Sequence, residues 1–244
     1  MIEEPIVLKT NDGNLDCTVF ITNKKKNSLI IFYMDAPGIR EELRVMCRRI
    51  ASNGYNVILP NLFYRYGTEG NYPFDQNNYK KSKAELEKMI HIMNKTSNSM
   101  ISDDTKFILE YTSKNFNNKN IGIIGYCMSG RFVVYCGAKF ANKISAIASF
   151  YGVDILTKAE DSAHLFISKI KGELYLGFAE KDIWVSSDVI KKIRASLLNT
   201  TTKAEIEIYS NTDHGFAFPS RSTYVKEAEE LHWKRLLDLF KRNL

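Results

Sequence analysis

The sequence predicts an α/β fold, a mostly parallel sheet with helices on both faces, and three observations predict it. Apolar runs of strand length alternate with helix-length amphipathic segments along most of the 244 residues, a rhythm that calls for crossover connections and so for parallel strands. The length is at the upper end of what one α/β domain holds. With no linker or internal repeat in view, a single domain over residues 1–244 is expected, two small ones being the alternative. The composition, 44% hydrophobic and 25% charged, is ordinary for a globular chain and gives no case for disorder.

Residues 15–22 alternate as an early strand, and a turn at Lys24, Lys25 and Lys26, flanked by Asn23 and Asn27, leads into a strand over 29–34. A helix follows to about residue 53, with Leu43, Met46, Cys47 and Ile50 on one face at helical spacing. Gly54 ends it, and residues 55–60 form the next strand. Residues 61–78, with tyrosines, glycines and a proline, read as a long loop, a feature that in compact domains is often functional. Two polar helices fill 79–115, separated around 96–102. A buried strand at 121–125, a helix over 129–140 and strands at 144–150, 173–179 and 204–209 come next. The last helix is expected to bury Trp233, Leu236, Leu237 and Phe240.

Charge and cysteine content narrow the function classes. The net charge is +6, but the lysines are scattered apart from the cluster in the turn. A solvated surface is therefore expected rather than a nucleic-acid footprint. No apolar run approaches the ~18 residues of a spanning helix, and the acidic start Met1-Ile2-Glu3-Glu4-Pro5 is unlike a signal peptide. A soluble, cytoplasmic protein that binds neither nucleic acid nor membrane is the expectation. The four cysteines form no C-x-x-C pair, and a chain of this size needs no disulfide staples. Cys47 and Cys136 fall on apolar helix faces, whereas the orientation of Cys17 within its alternating stretch is open. No residues have metal-ligand spacing and no phosphate-binding glycine loop occurs, so neither metal nor cofactor is expected.

In open α/β sheets functional groups gather at the carboxyl ends of the strands. Three chemically capable residues stand there. Cys127, in Gly125-Tyr126-Cys127-Met128-Ser129-Gly130, lies between a buried strand and a helix. The segment resembles the G-x-S-x-G nucleophile elbow, whose sharp turn lifts the nucleophile out of the sheet. It also aims a helix N-terminus at the thiol, which lowers its pKa below the free value of roughly 8.5. Ser129 departs from the motif's last glycine, but it is small. Asp182 follows the strand over 174–177, and His214 follows the strand over 205–209. The order nucleophile, acid, histidine is that of α/β-hydrolases, with separations of 55 and 32 residues. A buried structural cysteine is the competing reading of Cys127. His91, His164 and His232 follow no strand and suit surface or packing roles. Asp188 is expected to begin the helix from Val189, and Asp213 to point away from its neighbour His214.

With Tyr33-Met34-Asp35-Ala36-Pro37-Gly38-Ile39-Arg40 and Leu59-Pro60-Asn61-Leu62-Phe63-Tyr64-Arg65, these residues resemble the dienelactone hydrolase family over nearly the whole chain. The resemblance implies an α/β-hydrolase core of about eight strands and no cofactor. It also implies hydrolysis of lactone or ester bonds through a cysteine acyl-enzyme; a small-molecule ester or lactone substrate and a monomer or homodimer are expected. Cys127 would be the nucleophile, His214 its general base and later acid, and Asp182 the group orienting His214. The backbone N–H groups of Met128 and Ala36 would form the oxyanion hole. Asp35 stands where the family places a glutamate that contacts the resting thiol; being shorter, it is expected to pair with Arg40 or Arg65 instead. Asp35, Arg40, Arg65, Tyr126 and Phe218 are the candidate substrate-binding residues. The family clamps a substrate carboxylate with arginines, one of them four residues after the histidine. Here that position is Phe218, no arginine occurs in 71–100, and Arg221 is displaced, so a muconate-type lactone does not follow. Thioester cleavage or acyl transfer remains open, as does a non-catalytic protein that binds a small molecule or senses oxidants through Cys127.

Overall fold

The computed structural model describes residues 1–22, 28–116 and 120–244; the predicted turn at Lys24, Lys25 and Lys26 lies outside them. The chain forms two compact units, Met1–Asn118 and Lys119–Leu244, and carries an eight-stranded, mostly parallel sheet.

In the first unit the strand order is β1-β2-β4-β3. β1 (Ile2–Thr10) and β2 (Gly13–Ile21) form an antiparallel hairpin around Asn11 and Asp12. β2 also pairs antiparallel with β4 (Asn56–Pro60), which runs parallel to β3 (Leu29–Tyr33). β3 and β4 are buried throughout, hence their unbroken apolar runs. β1 is the strand that the sequence reading missed. Nearly all its side chains are exposed, so it shows no alternation, and Pro5 is tolerated because the strand lies at the sheet's edge.

α1 (Glu41–Ser52) buries the predicted stripe of Leu43, Met46, Cys47 and Ile50. Glu41 and Glu42 in its first turn and Arg49 in its last complement the helix dipole. The long loop over 61–78 is regular only at one bridge, Thr68 to Asn71, yet it is well anchored. Gln76 donates from Nε2 to the carbonyls of Pro37 (2.7 Å) and Ile39 (3.0 Å), and Tyr72 and Phe74 stack at 5.5 Å. The loop therefore braces the turn after β3. α2 (Lys83–Lys95) and α3 (Asn98–Asn115) are separated only at Thr96 and Ser97, not over 96–102 as expected. The reason is a cap: Ser97 Oγ accepts the Met100 N–H at 3.1 Å and starts α3 early.

The second unit holds β5 (Ile121–Tyr126), β6 (Ile144–Phe150), β7 (Glu173–Ala179) and β8 (Ala204–Tyr209), parallel and in that order. α4 (Gly130–Lys139), α5 (Ser187–Leu197) and α6 (Lys226–Asn243) intervene or follow. Two expectations are corrected here. Ser186, not Asp188, caps α5, accepting the Val189 N–H at 3.4 Å, while Asp188 pairs with Lys191. On α6 Leu239 is buried and Leu237 only half-buried, because the helical period that aligns Trp233, Leu236 and Phe240 turns residue 237 aside. Cys17, whose orientation the sequence left open, is buried with Cys47 and Cys136. Among the described residues no helix is long and apolar enough to cross a membrane, and no group of three metal-ligating side chains occurs.

Candidate active site

Three parallel strands of the second unit each deliver one capable side chain beyond their carboxyl ends. After β5 the chain passes through a tight 3-10 turn, Cys127–Ser129, straight into α4. Cys127 adopts φ 53°, a left-handed conformation that costs a non-glycine residue about 1–3 kcal/mol. Close packing and hydrogen bonds hold it there. A Cβ on Gly125 would lie 2.6 Å from the Ser129 carbonyl oxygen, and one on Gly130 only 2.3 Å from the Cα of Gly152. The Val153 N–H donates to the Cys127 carbonyl at 3.0 Å. Ser129 Oγ accepts from the Tyr126 N–H at 2.9 Å and lies 3.1 Å from the Tyr126 carbonyl, to which it donates. The serine that looked like a mild departure from the motif thus ties the elbow shut. Ser129→Ala is expected to cost about 1–3 kcal/mol by stranding buried polar groups. Urea titration checks this, and an unchanged midpoint would show that the tie carries no load.

β7 leads to Asp182, whose carboxylate is wholly buried. Oδ2 accepts from His214 Nδ1 at 2.8 Å and Oδ1 from the Trp184 N–H at 2.8 Å. β8 leads to His214, whose carbonyl accepts from Thr223 Oγ1 at 3.0 Å. The Tyr151 ring meets His214 edge-on at 5.0 Å, and the half-exposed Trp184 ring lies at 6.4 Å. Nδ1 is engaged by Asp182, which leaves the buried Nε2 for the Cys127 sulfur. Burial disfavours the imidazolium, but the negative charges of Cys127 and Asp182 outweigh it and raise the His214 pKa from 6.5 to about 9. Cys127 itself is partly open to solvent. An imidazole held by a buried carboxylate thus stands beside a partly exposed thiol on the elbow.

The raised pKa has a consequence for stability. A group held more basic in the folded state contributes stability fully below its unfolded pKa and loses it as pH rises through the folded one. The window here runs from pH 6.5 to about 9. Wild type should accordingly exceed His214→Gln in melting temperature most at pH 6, with the gap shrinking by pH 10. Melting curves across that range check the sign, and a gap that widens with pH would contradict it.

Met128 is buried in the elbow turn, where N–H groups lack intrahelical partners. Tyr126 and Phe218, expected to face substrate, are instead fully buried. The Tyr126 hydroxyl shares a hydrogen bond with His232 Nε2 at 2.7 Å, and Phe218 packs edge-on against the Tyr126 ring at 5.3 Å. Of the other candidates, Asp213 is exposed, His91 is exposed on α2, and His164 bonds Ser162. Asp35, Ala36, Arg40 and Arg65 belong to the first unit. Asp35 is buried and held by both terminal nitrogens of Arg40, at 2.5 and 3.2 Å, so Arg40 rather than Arg65 is its partner. Arg40 also binds Glu42, and Arg65 binds Asp12 (2.6 Å) and Asp104 (2.7 Å). Both guanidinium charges are thus answered by carboxylates within the unit, which leaves a substrate-contact role for them without support. Ala36 is buried in the turn after β3.

Two neighbours of the site escaped the sequence reading. Trp184 contributes through its backbone N–H, although an aspartate that bonds the backbone two residues on is a known turn signature. Tyr151 directly follows β6 with φ 39°, the same after-strand position that identified the other three.

The Dienelactone hydrolase family profile matches residues 15–244. A Synechocystis sp. protein named "Putative carboxymethylenebutenolidase" is 28% identical, covering 88% of this chain and 86% of its own. An Escherichia coli K12 protein of the same name is 25% identical over 88% of this chain and 76% of its own. Among solved structures, a "Putative Dienelactone Hydrolase" from Klebsiella pneumoniae superposes with a TM-score of 0.83 at 21% identity, covering 98% of each chain. The fold is therefore that of these hydrolases, and with its profile matched from the second strand to the last helix, the chain belongs to the dienelactone hydrolase family.

Proposed function

We propose that the protein hydrolyses carboxylic esters or lactones through an acyl-enzyme on Cys127. The observation that carries the reading is His214, held on one nitrogen by Asp182 and presenting the other to a cysteine on a strained elbow. His214 accepts the proton of the Cys127 thiol at Nε2, which gives a thiolate beside an imidazolium. The thiolate attacks the substrate carbonyl, and the Met128 N–H stabilises the oxyanion that develops. His214 gives its proton from Nε2 to the departing oxygen, leaving a Cys127 thioester and an alcohol. Neutral His214 then takes a proton from water, the resulting hydroxide attacks the thioester, and collapse releases the carboxylic acid and the thiolate. Asp182 fixes the tautomer and supports the imidazolium throughout.

The nucleophile constrains the substrate. In the first tetrahedral intermediate sulfur competes with oxygen as leaving group, and the weaker base departs faster. Enol-lactones, aryl esters and thioesters are therefore the preferred substrates, in keeping with the lactone cleavage that the relatives' name denotes. For matched acetates, the aryl ester should exceed the ethyl ester in kcat/KM by about a hundredfold or more. Equal values would overturn the leaving-group argument.

A further inference from the structure

Behind the elbow lies a second histidine that this chemistry does not use. His232, on α6, is fully buried, and its Nε2 stands 2.7 Å from the hydroxyl oxygen of Tyr126, the residue immediately before Cys127. The Tyr126 ring stacks on Phe150 at 5.5 Å and 18° and meets Phe218 at 5.3 Å and Tyr151 at 5.9 Å. Phe218 belongs to the loop that carries His214, its N–H bonded to Gly215 at 3.1 Å. Tyr151 lies edge-on against the His214 ring. One ring therefore touches the supports of His214, while its own backbone is the anchor of Cys127.

Stability alone does not account for a polar pair at this depth. Replacing both partners of a buried hydrogen bond by apolar groups of similar shape is close to neutral. Aromatic contacts constrain a ring loosely, whereas a hydrogen bond fixes distance and direction. We infer that His232 is a positioning residue: through the Tyr126 hydroxyl it sets the placement of Cys127 against His214. The inference rests on the hydrolase reading for turnover, but the reactivity of the thiol reports it independently. A thiolate is kept nucleophilic by a well-placed imidazolium, so a shifted elbow slows its alkylation as well as ester cleavage.

The test compares wild type with Tyr126→Phe, His232→Leu, the double variant and His232→Gln. Each is assayed for Cys127 alkylation by iodoacetamide, followed by intact mass, for kcat and KM with p-nitrophenyl acetate, and for melting temperature. The remaining cysteines are buried, so a single fast adduct reports Cys127. Each of the first two variants should lose about tenfold in alkylation rate and in kcat, with KM changed by no more than about twofold. The double variant should be no slower than either single one and should melt near wild type. Gln offers an amide N–H or carbonyl oxygen near the place of Nε2, so it can pair with the Tyr126 hydroxyl in either sense and should recover most of the loss. A stable double variant with wild-type alkylation and kcat would overturn the inference, as would losses that multiply or a Gln variant no better than Leu. Wild type that alkylates but hydrolyses nothing, with the alkylation losses intact, would remove the hydrolase reading and keep the positioning one. Wild type that hydrolyses, with every variant unchanged, would do the reverse.

Discussion

Cys127→Ala is expected to lower p-nitrophenyl acetate turnover by about 10⁴-fold or more, leaving only the weak catalysis that binding and oxyanion stabilisation give without a nucleophile. The loss should appear in kcat, because the acetyl group no longer has a covalent acceptor, while KM moves little. The fold should survive. Cys127 is only half-buried, so truncation opens no core cavity, and alanine suffers no more than cysteine from φ 53°. The melting temperature measured beside the rate separates the two effects. A folded variant with turnover near wild type would mean that another group attacks the ester.

Asp182→Asn should be nearly as costly, about 10³–10⁴-fold in kcat, and the structure gives the reason. Both carboxylate oxygens accept hydrogen bonds from fixed donors, His214 Nδ1 on one side and the Trp184 N–H on the other. An amide has one oxygen and one NH₂ group, so one of those donors must face another donor. If the NH₂ faces His214, the proton moves to Nε2 and the imidazole no longer accepts from the thiol. If it faces Trp184, the Trp184 N–H loses its acceptor in the turn that carries residue 182. In both orientations the negative charge that helps hold the His214 pKa near 9 is gone. The alkylation rate of Cys127 should fall with kcat, and a variant that loses neither would show that Asp182 is not the orienting acid.

Much of this was legible in the sequence, for definable reasons. Strands buried on both faces declare themselves as apolar runs, as β3, β4 and β5 do, and β1 stayed hidden because it is an exposed edge. The positions of Cys127, Asp182 and His214 could be read because each follows a strand, where an α/β sheet gathers its chemistry. What each side chain faces could not. Tyr126 and Cys127 are adjacent, yet the turn sends one into the core and the other toward His214. The bond from Tyr126 to His232 joins residues 106 apart, with nothing in either local sequence to announce it. Trp184 acts through its backbone, and Ser129 through a hydroxyl that composition records only as small. Arg40 and Arg65 looked available for substrate until their carboxylate partners were in view.

The most direct test of the central claim is the intact mass of the protein during turnover of p-nitrophenyl acetate, with wild type and Cys127→Ala in parallel. A transient acetyl adduct is expected on wild type, mapping to Cys127 and decaying as substrate is consumed, with neither adduct nor turnover in the variant. Turnover without any adduct, or an adduct that persists in Cys127→Ala, would contradict it.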